Sequence, residues 1–212
     1  MATLTDTPID AIDPVLRQYD AGLESAPMAA RQVWHRIAAS RHAIGGDAAL
    51  WHRDAVALCE AFAMTPRDRE PQISLSWTGS EVAALTEPAV LIHEVAHFQL
   101  ASPSRRFLPD FGFGAGPESG DIALAESARR LDEPEREIEE QRTSLLGIIW
   151  EAELGQPAIL AFQEQNWLEG AGRPSTAAFF VTTLNALIAL GLVDSDGHPL
   201  LALRCSADRA IG

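Results

Sequence analysis

The chain is short of positive charge, short of cysteine and free of long apolar runs, and each shortage removes a class of protein. It has 212 residues, with 16 Lys+Arg against 30 Asp+Glu and a formal charge of −14. Nucleic-acid backbones and anionic membranes would repel such a chain at long range, so neither is expected as a partner. Two cysteines, Cys59 in an apolar helical stretch and Cys205 near the C-terminus, are too few for a disulfide framework. Both are expected to be reduced, as in a cytosolic protein. No segment approaches the roughly 18 apolar residues of a membrane-spanning helix. The longest candidate, 177–192, is broken by Thr182, Thr183 and Asn185 and reads as a buried helix. The first six residues have neither the basic nor the apolar region of a signal peptide, which again predicts a cytoplasmic protein.

What is present is ordinary globular material: 47% apolar and 22% charged residues, in a length that fits one domain. The expectation is a single metal-binding domain over 1–212, mainly α with a small β element (α+β). Residues 1–27 form an Asp/Pro-punctuated N-terminal segment with a short helix near Pro14–Asp20. Helices are predicted over 28–40, 48–64 (N-capped by Asp47), 88–100, 133–154, 158–165 and 176–190, with a hairpin near Asp196-Gly197. The alternation Ile73-Ser74-Leu75-Ser76-Trp77 predicts a strand. The 88–100 segment is apolar almost all round, the pattern of a central buried helix.

That buried helix carries His93-Glu94-Val95-Ala96-His97. Residues four apart share a helical face, so both imidazoles can reach one metal ion. Buried histidines also need partners for their ring nitrogens, which an apolar helix does not supply. Neutral imidazole suits zinc, iron and copper alike, so the expected cofactor is one divalent transition metal, iron or zinc. Glu94 is the candidate catalytic residue, placed to handle a proton rather than to coordinate. A third ligand is needed. A metzincin would have histidine six positions after His97, where Pro103 stands, so that reading fails. The acidic helix 133–154 is the natural source, with Glu133, Glu135, Glu137, Glu139, Glu140, Glu151 and Glu153 as candidates. Glu140, one turn before the apolar run from Leu145, is the first choice and Glu137 the second.

Reading on from His93, the chain runs HEVAHFQLASPSRRFLPDFGFG. His93, Glu94, Ala96, His97, Phe98, Ala101, Arg105, Arg106, Asp110, Phe111, Gly112 and Phe113, followed by Glu137-Ile138-Glu139-Glu140 and an apolar helix ending at Gly155, resemble the bacterial elongation factor P hydroxylase family. The resemblance covers about 93–155, and departs from the family at Phe98, where a Trp is usual. It implies a 2-His-1-carboxylate site of the non-haem iron oxygenase kind, a hydroxylase activity, and a modified lysine side chain of a protein, elongation factor P, as substrate.

The residues alone leave two further readings open. One is a zinc hydrolase, metallopeptidase-like, with Glu94 as general base. The other is a non-catalytic metal-binding protein. The Gly- and Pro-rich stretch 102–120 is expected to wall the metal pocket, the alternative being a surface excursion. Within it, Asp110 would either accept the second N–H of a ligating imidazole or cap a turn. Arg105 and Arg106 would either stand at the rim, facing an acidic partner, or hold the loop through carboxylates.

Overall fold

The computed structural model describes residue 8 and residues 11–116 and 119–208. It is mainly helical, with two three-residue strands. The chain groups into two compact units, one of residues 1–46 with 144–200 and the other of residues 47–143 with 201–212. Among the described residues no helix is long and apolar enough to cross a membrane.

The first unit holds α1 (Asp13–Gly22) and α2 (Met28–Ala39). Later in the chain it holds α7 (Ala158–Glu164) and α8 (Pro174–Ala189), with the final turns of α6 (Glu133–Glu153). Its core is aromatic: Tyr19, Trp34, Phe162, Trp167 and Phe180 meet in tilted, stacked and edge-on pairs with ring centroids 4.5–6.2 Å apart. Such geometry adds electrostatic attraction to the burial of large rings. The expected hairpin is a tight turn with a single bridge, Val193 to Pro199. Gly197 sits there at φ +81°, where a Cβ would come 2.4 Å from Val33, so only glycine fits.

The second unit opens with α3 (Ala48–Ala61), whose first amides donate to the Asp47 side chain as expected. The helix stops three residues sooner than the predicted 64, because Ala63 turns left-handed (φ 57°) and the chain enters a strand. Strands β1 (Thr65–Arg67) and β2 (Glu81–Ala83) pair in parallel, Pro66 opposite Val82. Proline lacks an amide donor, which a strand with one neighbour tolerates. The strand predicted over 73–77 does not form. Pro71–Ile73 is a 3-10 turn, Ile73 is 70% exposed, and Trp77 alone bridges to Val82. The alternation correctly sends Leu75 and Trp77 inward. The carbonyls of Ser74 and Leu75 are taken by unrelated partners, Asp121 N and Arg69, so pairing with β2 is confined to the Trp77 bridge, where Ala83 N–H donates to Ser76 O.

Next comes α4 (Pro88–Leu100), with Pro88 in its first turn. Leu91, Ile92, Val95 and Ala96 are wholly buried, and α3 packs against the helix. A 3-10 turn (Pro109–Gly112), α5 (Ile122–Ala128) and the opening turns of α6 follow. A reciprocal capping box starts α6: Glu135 N–H donates to Asp132 Oδ1, and Asp132 N–H donates to Glu135 Oε2. Two otherwise unpaired amides are satisfied and the helix register is set. That register decides which glutamate of the acidic run faces α4.

Candidate metal centre

Three side chains converge. His93 and His97 lie one turn apart on α4, and the Glu140 carboxylate bridges them from α6. His93 Nε2 is 3.2 Å from Oε1, and His97 Nε2 is 3.3 Å from Oε2. One donor atom from each residue lies within 4.8 Å of the others. The imidazoles stand nearly perpendicular, at 81°. The His97 side chain is 10% exposed and that of Glu140 is 48% exposed, so the cluster is closed on one side and open on the other. Two imidazole nitrogens and a carboxylate form a donor set that fits a divalent transition metal.

The charges of the cluster are mutually adjusted. Burial lowers the pKa of His93, and the Glu140 hydrogen bond only partly opposes this. Burial works against charging His97 as well, but Glu140, Glu94 and Glu139 outweigh it and the pKa rises. Glu140 stays well below the ordinary carboxylate range, because both imidazoles hold its charge against the burial cost. Glu94, also on α4, is pushed up to about 7. Burial is the main cause, with repulsion from Asp110 and Glu140, while His97 and a hydrogen bond from Ser76 pull the other way.

The remaining acids of α6 have other employment. Glu133 pairs with Arg129 and Arg136, Glu135 caps the helix, Glu137 is exposed and Glu139 is buried against Arg105. The second-choice ligand Glu137 is therefore not part of the cluster. In the other unit, Glu153 pairs with His198 and Glu151 is buried.

Within the 102–120 stretch, Phe111 and Phe113 lie against His97. The Phe111 ring stacks on its imidazole at 5.6 Å and 18°, and Phe113 meets it edge-on at 5.0 Å. Trp77 stacks on the far face of Phe111, at 5.5 Å and 7°. Three successive residues hold this wall in left-handed conformation, Asp110 (φ 40°), Phe111 (φ 57°) and Gly112 (φ 64°). For the two non-glycine residues that conformation costs roughly 1–3 kcal/mol each, a strain found where the surroundings over-determine the backbone. Asp110 supplies the surroundings: its N–H donates to Trp77 O, Trp77 N–H donates to its Oδ1, and Ser119 donates to its Oδ2.

Two expectations for this stretch need correction. Asp110 does not orient an imidazole, since its oxygens are taken by Trp77 and Ser119. The partner of His97 Nδ1 is Thr143 Oγ1, at 3.3 Å. The direction of this bond follows the tautomer: with Nε2–H donating to Glu140, Nδ1 accepts from the Thr143 hydroxyl, and with Nε2 free for a metal, Nδ1–H would donate to Thr143. Nor do the arginines stand at the rim, since Arg105 is 1% exposed and Arg106 is buried. Arg106 donates to the carbonyls of Phe98, Ala101 and Arg204, satisfying the last turn of α4. Arg105 does hold a carboxylate, that of Glu139.

Sequence reasoning missed Thr143 and Ser76, and named Glu139 only as a candidate ligand, where the structure pairs it with Arg105. For Thr143 a signal existed: it lies three residues after Glu140, hence on the same face of α6. Cys59 is buried, and burial, with Glu94 nearby, pushes its thiol up to about 12, away from the thiolate form that a nucleophile needs. Comparison of the chain with protein-family models, with curated proteins and with solved structures found no match.

Proposed function

We propose that the protein is a metal-dependent hydroxylase of the elongation factor P hydroxylase kind, cytoplasmic, with iron held by His93, His97 and Glu140. Its substrate in this reading is a modified lysine side chain of a protein, elongation factor P being the candidate. The observation that supports it is the meeting of those three donors, walled by Phe111 and Phe113, residues through which the sequence resembles that family. Three protein ligands leave further coordination positions open. When bound, iron in such a donor set supplies the activation of dioxygen, and zinc would instead supply a Lewis acid for water. Glu94, steadied by Ser76, stands ready to take or return a proton beside the donors. Thr143 fixes the His97 ring, and the two phenylalanines keep water from one side of it.

The test is metal content and gas exchange. Freshly purified protein should carry iron and consume oxygen when given the modified lysine substrate. Glu94→Gln should keep the metal and lose turnover, and loss of metal in that variant would make Glu94 a ligand and overturn the role given to it.

One feature favours a second reading. Glu94 directly follows the first histidine, and the third ligand comes from a later helix, an order shared with zinc peptidases. Zinc in the purified protein, with peptide cleavage and no oxygen uptake, would select it.

A further inference from the structure

We propose that Arg105 is a positioning residue for the metal centre, one guanidinium that holds the Glu140 side and the His97 side in register. The inference rests on the metal reading above. Arg105 touches none of the three donors. Its Nη2 donates to Glu139 Oε2 at 2.6 Å, and Glu139 is the residue before Glu140 on α6. Its Nη1 donates to the carbonyl of Phe111 at 2.9 Å, and the Phe111 ring stacks on His97. Asp208 Oδ1 lies 3.1 Å from its Nε. The arginine and Glu139 side chains are 1% and 8% exposed.

These contacts have a geometric consequence. A guanidinium is planar and rigid, so two groups bound to its two terminal nitrogens are fixed relative to each other. Here those groups are the side-chain carboxylate of Glu139, the residue before the carboxylate donor on α6, and the Phe111 carbonyl in the left-handed turn that carries the ring on the imidazole donor. Lysine could satisfy Glu139 but presents a single point charge and would leave the two sides uncoupled. The pair is buried well, yet Glu139 Oε1 has no hydrogen-bond partner. A buried ion pair is weak evidence for stability, and positioning is the role that this geometry supports.

The experiment compares zinc affinity, measured by competition with a chelator, and the visible spectrum of the cobalt-substituted protein. The wild type is set against Arg105→Gln and Arg105→Gln/Glu139→Gln. The double variant removes the buried unpaired carboxylate that could unfold the single one. The expected result is a zinc affinity weakened roughly tenfold or more, as for other residues that orient metal ligands, with an altered cobalt spectrum and unchanged helical circular dichroism. A core variant of the other unit, Phe180→Leu, should lose stability and keep both readouts. Wild-type zinc affinity and cobalt spectrum in the double variant overturn the inference and leave the metal reading standing. A wild-type chain that binds neither metal overturns both. If neither variant folds, amide exchange of the wild type decides. Zinc should slow exchange over both 109–113 and 136–143, and protection confined to 136–143 overturns the coupling.

Discussion

The two halves of α6 each bury a glutamate, and they treat it in opposite ways. In the first half Glu139 meets Arg105 at 2.6 Å, beside the donor cluster. In the second half Glu151, 4% exposed, has Glu164 as its charged neighbour, and burial pushes its pKa up to about 8. One carboxylate is paired with a cation brought from 34 residues away in the chain. The other is kept neutral by the cost of desolvation. Burial of an acid therefore does not announce function. What separates the halves is whether the buried charge is tied to groups that surround a set of convergent donors.

The largest effect that would break the comparison is loss of the donors in the first half. His97→Ala or Glu140→Gln should remove most of the bound metal, while Glu137→Gln, one turn away and exposed, should retain it. Elemental analysis of the three variants reads this directly, and equal metal in all of them would erase the distinction between the halves.

The second half should show itself in pH. The native state keeps the Glu151 proton up to about pH 8, while the unfolded chain releases it near the ordinary glutamate value of 4.5. Between those values the native state binds more protons, so stability falls as pH rises, by at most ~1.4 kcal/mol per unit. The contribution is fully present below the unfolded pKa and lost above the folded one. Glu151→Gln should flatten that slope and leave the protein more stable near pH 8, as read by denaturant unfolding from about pH 5 to about pH 8. An unchanged slope would mean that Glu151 is charged in the native state.

A smaller effect sharpens the first half. Thr143→Val keeps the shape and removes the oxygen beside His97 Nδ1. Metal affinity should fall by roughly tenfold, about 1.4 kcal/mol, at the low end for such partners. Titration against a chelator measures it, and an unchanged affinity would remove Thr143 from the orientation of the ring.

Much of this arrangement can be read from local pattern. Pro88 and the apolar run delimit α4, Asp47 starts α3, and the i, i+4 histidines require only a helix. The choice of Glu140 follows from its place one turn before the apolar run. What escapes is what depends on partners distant in the chain. The run Glu133–Glu140 offers five acids in eight positions, and Arg105, Arg129, Arg136 and the capping box sort them. The Ile73–Trp77 alternation tells which residues point inward but not which carbonyls Asp121 and Arg69 will take. Arg105 and Arg106 look like surface residues because nothing beside them in sequence hints at Glu139 or at the carbonyls that end α4.

The strap of residues 201–208 bears on the order in which this molecule is made. It belongs to the unit of the candidate centre, yet it follows residues 144–200 in the chain. Arg204 N–H donates to Gln99 O, Gln99 donates to Ala202 O, and Asp208 accepts from Ser102 and lies against Arg105. A ribosome delivers the histidines, the wall and Glu140 first, and it delivers these partners only after the whole of 144–200 has been synthesised. Until then Gln99 and the Nε side of Arg105 lack these partners. Nascent chains halted before residue 201 would carry all three donors and lack these contacts behind them.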